Sequence, residues 1–517
     1  MTLRYDVTLP VSERKRHGVY YTPEPVVRYL LRATAPTGAV ADLSCGDGAF
    51  LLEAAHAEHR VMGIDRDATA LDHAAERLAM IPAERWHLQC ADGLAPHFPE
   101  TPDVVLGNPP YLEAKKADPA LKAHCRALFP DVARGGFDAF ICFIKAGLDL
   151  LPPGGRLGYI VPNKLLIAEY ARPLREWLLR ETTILELIDV SDISAFRDAA
   201  VYPILLVVRK SSPPAQHQVR TGTVSDVQQL ETGDFPVTFL PQARWTSTAR
   251  RVFWLPPQEA SAHALVERLM ADPSARPFSS CLDIRWTVSF HRAGLRDEFI
   301  FPEATGRVPY RLLGGKRFHG NADVRRYRTA WSGWWIDYDE ARAKLLHNQL
   351  PPLSLFTAPK ILIAQNAKRI TATLDTEGFV CKDTFLLGRP HADLSLEYLL
   401  GVLNSSLMSY LYGILFNATH VGGAYLHYLA CYLEDLPLRI ADDPTPVEAL
   451  VRAILTPNLP EHARQDYDAQ LDELIFELYQ LTPAERQLVR AAVPYSLGEG
   501  AMRRGQWDAR QSLAPPL

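Results

Sequence analysis

The run Asp103-Val104-Val105-Leu106-Gly107-Asn108-Pro109-Pro110-Tyr111 sets the tightest local constraint on this chain. Its apolar half reads as a buried strand, because a short aliphatic run ends in a turn signal. Two adjacent prolines then fix φ and remove two backbone donors, so the chain after Gly107 cannot continue a sheet ladder. Residues 108–111 are therefore expected to form a stiff, extended loop at the carboxyl end of a strand. The loop carries one amide side chain, backbone carbonyls and one aromatic ring. In an open α/β sheet, ligands bind at such strand ends. Pro-Pro that merely stops a strand, with Tyr111 packed into the core, is the plainer alternative for the run taken alone.

The surrounding pattern supplies such a sheet. From Tyr20 to about Lys210, helical and strand periodicities alternate, the signature of a parallel sheet with crossover helices. Helices are expected at 23–33, 49–59, 66–80, 137–151 and 163–180. Strands are expected at 38–43, 60–64, 87–90, 104–107, 157–161, 184–190 and 201–209, which makes a seven-stranded, doubly wound domain. After the Pro-containing break at Lys210–Gln216 that rhythm stops. Tryptophans, tyrosines and short strand-like runs take over, including 361–364 and 371–374 with Lys368-Arg369 at the turn between them. A helix is expected at 399–415, and helices at 467–479 and 483–492 in the tail. The expected division is a catalytic domain over 1–245, a mixed α/β recognition domain over 246–440 and a helical tail over 441–517.

Composition sets limits. At 517 residues and 47% hydrophobic content the chain can bury two or three cores. No apolar run approaches the roughly 20 residues of a membrane span, and the N-terminus is polar rather than leader-like. Seven scattered cysteines, none in a Cys-x-x-Cys pair, argue against a disulfide framework or a structural zinc site. These features point to a cytoplasmic protein. A net charge of −5 does not announce a polyanion partner, yet Arg307, Arg311, Lys316, Arg317, His319, Arg325, Arg326 and Arg328 crowd one stretch.

Three strand ends are acidic. Asp42 opens the loop Asp42-Leu43-Ser44-Cys45-Gly46-Asp47-Gly48, where Gly46 and Gly48 allow close backbone approach to a ligand. The loop lacks the Gly-x-Gly-x-x-Gly spacing that seats a pyrophosphate, and Asp47 would repel one. Asp65 ends the second strand, where a carboxylate can accept ribose hydroxyls or cap the following helix. Asp92, after the third strand, admits the same two readings. Together the three favour an adenosine with a cationic tail, S-adenosylmethionine.

The order Gly18-Val19-Tyr20-Tyr21-Thr22-Pro23, then 42–50, Asp65, Asp92 and Asn108-Pro109-Pro110-Tyr111 resembles the gamma-class adenine-N6 DNA methyltransferases of the TaqI type. The likeness is close over 15–210. It continues more loosely through Val308-Pro309-Tyr310-Arg311-Leu312-Leu313-Gly314-Gly315, Leu403-Asn404-Ser405 and Leu433-Glu434-Asp435-Leu436-Pro437. The resemblance implies a Rossmann-like catalytic domain followed by a DNA target-recognition domain. It implies S-adenosyl-L-methionine contacts from Tyr21, Thr22, Asp42, Leu43, Ser44, Cys45, Gly46, Gly48, Asp65, Asp92 and Pro110. It also implies a catalytic loop of Asn108, Pro109 and Tyr111, with Phe196 on the far face of a flipped base. One departure concerns the residue after Asp92. Many relatives carry an aromatic there to stack on the cofactor adenine, and this chain has Gly93.

The implied partner is double-stranded DNA, contacted by Arg311, Lys316, Arg317, Arg325, Arg326, Lys368 and Arg369. Tyr327, Trp331, Trp334 and Trp335 are expected in the core. The expected enzyme is a monomeric methyltransferase without a fused nuclease, beside a separate restriction endonuclease, in phage defence or in solitary genome marking. The rivals are methylation of a glutamine side chain or of RNA adenine, and a non-catalytic DNA-binding subunit.

Overall fold

The structure is a computed structural model that describes residues 22–111, 118–197, 202–290, 294–315, 323–391, 394–422 and 425–493. It divides into two compact units, Met1–Gln258 and Glu259–Leu517.

In the first unit the chain runs α1 (Glu24–Thr34), β1 (Val40–Asp42), α2 (Ala49–His56), β2 (Val61–Asp65), α3 (Ala68–Leu78), β3 (Trp86–Cys90), β4 (Val104–Gly107), α4 (Pro119–Leu128), α5 (Phe140–Leu150) and β5 (Arg156–Pro162). It continues through α6 (Arg172–Glu181), β6 (Thr183–Asp189), β7 (Pro203–Arg209), β8 (Gln218–Thr223), α7 (Val227–Thr232) and β9 (Val237–Pro241). The strands form one sheet in the order β3-β2-β1-β4-β5-β7-β6-β8-β9. Strands β3, β2, β1, β4 and β5 pair with one another in parallel, and β7 enters antiparallel between β5 and β6. The strand order reverses between β1 and β4, so a crevice opens outside their carboxyl ends.

Nine strands replace the seven expected. The two extra ones, β8 and β9, close one end of the sheet with β9 at the edge, and both carry exposed positions, including Val237 and Phe239 of β9. Such strands lack the continuous apolar signal of β7, whose Ile204–Val208 are fully buried. The helix expected over 163–180 is interrupted: a single turn at Lys164–Ile167 precedes α6.

The first unit also extends past residue 245. Arg175 on α6 is fully buried and donates to the carbonyls of Leu165, Ile167, Ala168, Arg250 and Arg251 at 2.7–3.4 Å. Trp245 stacks on Phe253 at 4.6 Å, and Phe253 N–H donates to Leu166 at 2.9 Å. A buried guanidinium needs these acceptors, and they draw the segment after 245 onto α6.

The second unit begins with α8 (Ala260–Met270). Its antiparallel sheet contains Leu282–Trp286, Phe385–Pro390, Lys360–Ala364 and Ala372–Asp375, in that order. A second four-stranded sheet is built from Ile300–Phe301, Trp334–Asp337, Pro309–Leu313 and Val380–Cys381. Trp331 and Trp334 are half-buried against the core, and Tyr327 is buried within it.

The helix expected at 399–415 is two helices, α9 (Leu396–Asn404) and α10 (Ser406–Leu415), bent by 59°. Asn404 explains the break. Its amide pairs with Ala372 N–H and C=O at 2.9 and 3.0 Å, as a neighbouring strand would, and Ser405 caps α10. Both helices are mostly buried, and no single helix among the described residues is long and apolar enough to cross a membrane.

Helices α11 (Thr445–Ile454), α12 (Glu461–Leu478) and α13 (Pro483–Ala492) belong to this unit rather than to a separate tail. Helix α12 sends two carboxylates inward at i,i+4 spacing. Asp468 takes Arg326 at 2.5 Å and the Tyr327 hydroxyl at 2.9 Å, while Asp472 takes the backbone N–H and hydroxyl of Ser406. Removing one partner of a buried ion pair strands the other charge. Asp468→Ala should therefore destabilise this unit by about 3–5 kcal/mol. Denaturant unfolding of the full chain checks it, and stability within about 1 kcal/mol of wild type would contradict the structural role given to the pair.

Candidate active site

The crevice is built around Asp42 at the end of β1. Its side chain is 1% exposed and accepts from Ser44 N–H at 3.0 Å. Burial dominates its chemistry: partly offset by the Ser44 N–H and reinforced by Asp65, it pushes the carboxyl up to about 8. Across the switch point, a Cβ on Gly107 would come within 2.7 Å of Asp42 Oδ1, so only glycine lets β4 end this close.

The loop after β1 is folded onto β2. Cys45 N–H donates to Ile64, and Gly46 N–H donates to Asp65 Oδ2 at 2.8 Å. Gly46 and Gly48 have φ of +53° and +79°, and a Cβ on Gly46 would meet only open space. Leu43 and Cys45 point into the core, Ser44 is half-buried, and Asp47 is paired with Arg77 at 2.9 Å. Asp65 Oδ1 accepts from Asp67 N–H at 2.9 Å, and it is Asp67 that caps α3.

Asp92 lies beyond β3, held by Arg66 at 2.7 Å, His124 Nε2 at 2.6 Å and Leu94 N–H at 3.1 Å. Burial works against its charge, but these three donors together hold its carboxyl below the ordinary range. Nothing in the residue pattern marks His124, which meets Asp92 from 32 positions further along the chain. Gly93 has a steric reason: a Cβ there would lie 1.8 Å from the Leu43 carbonyl.

Asn108 follows β4, and its Nδ2 donates to Thr22 Oγ1 at 3.1 Å. Thr22, buried in front of α1, thus meets a residue 86 positions away. With the amide nitrogen so engaged, the other polar atom of Asn108 is its oxygen, an acceptor. Pro109 is buried and Pro110 half-buried. The Tyr111 hydroxyl donates to the Ile160 carbonyl on β5 at 3.0 Å, which fixes the ring beside the loop. Phe196 is buried in the apolar core with Ile160, Ile188 and Ile193, on the same side of the sheet as α1. Tyr21 lies outside the described residues.

The arginines and lysines expected to meet DNA divide into groups. Arg326 and Arg369 are corrected: they are 3% and 4% exposed, Arg326 bound to Asp468 and Arg369 donating to Ser406 Oγ at 3.2 Å. Their guanidinium groups hold the core together and are not presented to a phosphate. Arg325 is exposed, opposite Arg328 across a short hairpin. Arg311 is half-buried, pairs with Glu377 at 2.9 Å and lies 4.3 Å from the Phe379 ring. Lys368 is half-buried with its ammonium 5.6 Å from the Tyr425 ring. Lys316 and Arg317 lie outside the described residues. No group of three or more His, Cys, Asp or Glu among the described residues could hold a metal ion.

The family model described as Eco57I restriction-modification methylase matches residues 61–196, and that of the TaqI-like C-terminal specificity domain matches residues 316–438. The type II methyltransferase M.XhoI of Xanthomonas vasicola is 34% identical over 127 residues, 24% of this chain and 23% of its own length. M.TthHB8I of Thermus thermophilus is 30% identical over 188 residues, 33% of this chain and 41% of its own length. The release factor glutamine methyltransferase of Cereibacter sphaeroides is 34% identical over 145 residues, 26% of this chain and 51% of its own length. This chain thus spans less than half the length of the first two relatives. Among solved structures, the type IIL restriction-modification enzyme MmeI, in complex with DNA, has the same fold at 13% identity. Its TM-score is 0.54, covering 97% of this chain and 76% of that one.

The first unit therefore has the Rossmann-like fold of S-adenosylmethionine-dependent methyltransferases, and a mixed α/β specificity domain comes after it. The sequence likeness is to restriction-modification methyltransferases, and S-adenosyl-L-methionine is the cofactor. The crevice fits that group. Burial keeps a proton on Asp42, and a sulfonium or an ammonium beside Asp42 and Asp65 would release that proton and pair with the carboxylate, which a diphosphate would not do.

Asp42 gives the ligand-free protein a pH signature. An exposed aspartate titrates at 3.8, and the folded carboxyl near 8, so between these values the folded state binds the extra proton. Its contribution to stability is full below pH 4 and is lost as pH rises toward 8. Asp42→Asn should remove that component. The melting-temperature difference, variant minus wild type, should grow from pH 5 to pH 8.5. A difference that stays flat across that range would contradict the burial argument.

Proposed function

We propose that this chain transfers a methyl group from S-adenosyl-L-methionine to N6 of a flipped-out adenine within a specific duplex DNA sequence. The observation that carries the reading is the Asn108–Thr22 hydrogen bond, which fixes an amide oxygen at the end of β4 beside the cofactor crevice. When bound, the cofactor supplies an electrophilic methyl on a sulfonium.

The exocyclic nitrogen of adenine is a poor nucleophile because its lone pair is delocalised into the ring. Asn108 Oδ1 and the Pro109 carbonyl each accept a hydrogen bond from that amine. This favours a pyramidal nitrogen with its lone pair turned toward the cofactor. Preorganised acceptors and orientation lower the barrier without a formal general base. Tyr111, held at its hydroxyl by Ile160, offers a ring face to the base, a stack worth about 1–3 kcal/mol. Pro110 stiffens the loop beside Asp42, and Phe196 backs the pocket. A base inside a duplex cannot reach this loop, so it must be flipped. The specificity domain reads the sequence, with Arg311, Arg325 and Lys368 as its contacts to phosphates or base edges. The enzyme acts as a monomeric methyltransferase, within a restriction-modification or phage-defence system or as a solitary genome-marking enzyme.

The likeness to a glutamine methyltransferase favours one rival substrate, a glutamine side-chain amide. The match to a specificity domain over residues 316–438 supports DNA instead. Incubation with labelled cofactor and duplex DNA, RNA or protein separates them. The expected outcome is label on DNA, recovered as N6-methyladenine. Asn108→Ala should keep cofactor affinity and lose turnover by about 100-fold or more. Label only on RNA or protein, or turnover within a few-fold of wild type in that variant, would overturn the assignment.

A further inference from the structure

The planar end of the cofactor needs a surface to lie on, and the position after Asp92 does not provide one. A side chain on Gly93 would run into the Leu43 carbonyl, and Leu94 turns into the core. Two other planar groups stand at the same strand ends. Asp65 and Cys90 are paired across β2 and β3, so Arg66 and Asp92 leave the sheet side by side. The Arg66 guanidinium meets Asp92 Oδ1 at 2.7 Å, and His124 Nε2 meets Oδ2 at 2.6 Å.

Both groups are ordered by Asp92 yet remain open to solvent, their side chains 59% and 41% exposed. Exposed ion pairs contribute little to stability, about 0–1 kcal/mol, so tethering α4 is a weak reason to fix two such side chains. Lone-pair accounting points the same way. Asp92 Oδ1 accepts from Leu94 N–H and Arg66, while Oδ2 accepts from His124 alone among the described residues. A carboxylate oxygen has room for two donors, so Oδ2 can take one more N–H. An amino group on a purine is such a donor, and a guanidinium plane stacks on an aromatic face where an ammonium does not.

We propose that Arg66 is the adenine platform of this cofactor site, in place of an aromatic side chain. His124 is a positioning residue: it orients Asp92 so that Oδ2 receives the adenine amine. The proposal rests on the S-adenosylmethionine reading of the crevice.

Calorimetric titration of the full-length chain with S-adenosylhomocysteine and with methylthioadenosine, which lacks the amino-acid end, tests it. Arg66→Ala should weaken both ligands roughly tenfold or more, the loss of one base stack. Arg66→Lys, which keeps the charge and loses the plane, should be as weak as Ala, and Arg66→Tyr should recover most of the affinity. His124→Ala should weaken both ligands, and its effect should shrink sharply in an Asp92→Ala background. Ligand-free melting temperatures should stay near wild type for the Arg66 variants. Wild-type affinity in Arg66→Ala, or full recovery in Arg66→Lys, would overturn the platform. Wild-type protein that binds neither ligand would overturn the cofactor reading itself.

Discussion

The contact between Asp42 and Gly107 is the constraint on which the site depends. It lies where the strand order reverses, and it presses a buried carboxylate against a residue that can carry no side chain. Because β1 and β4 end this close together, the loop after β1 and the loop that carries Asn108 share one crevice. A larger residue at 107 would push the two strand ends apart, and a polar group exposed to water at 42 would lose the raised proton affinity that burial confers.

From that contact the geometry spreads in two directions. Toward β2 and β3, each strand-end carboxylate is held by backbone N–H groups or by a cation from the next turn: Asp65 by Gly46 and Asp67, Asp92 by Leu94, Arg66 and His124. Toward β5, the Asn-Pro-Pro-Tyr loop is pinned at both ends, at Asn108 by Thr22 and at Tyr111 by Ile160. The loop needs this because its prolines give it stiffness but no donors of their own. Thr22 belongs to the segment entering α1, so the entry to that helix acts as a support for the loop after β4.

The sheet was legible because its strand ends announce themselves: an apolar run, then Asp42, Asp65 or Asn108 at the turn. Strands β8 and β9 at the end of the sheet were not, since exposed positions interrupt the apolar signal of both. The end of the first unit was misplaced because the carbonyls of Arg250 and Arg251 are fixed by Arg175, 75 and 76 positions earlier. The basic stretch misled for a related reason. Neighbouring arginines look alike in sequence, but Arg325 faces solvent while Arg326 turns inward to a carboxylate 142 positions on. Arg369, one position after half-buried Lys368, is buried beside the same α12 carboxylates. Which arginine is structural is decided by α12, and nothing near the basic stretch encodes it.

Two kinds of electrostatics therefore coexist. In the first unit, acidic side chains stand at successive strand ends and burial keeps Asp42 protonated, whereas in the second, buried cations and carboxylates neutralise one another and leave a smaller set of basic side chains at the surface. An Asn-Pro-Pro-Tyr loop that orients an adenine amine must leave one mark in DNA that has met this chain. Single-molecule sequencing of genomic DNA from cells expressing it, in a host lacking other adenine methylation, should show N6-methyladenine at one fixed position in every copy of a short sequence. Unmodified DNA, or methylation on cytosine, would contradict the central claim that the loop after β4 acts on an adenine amine.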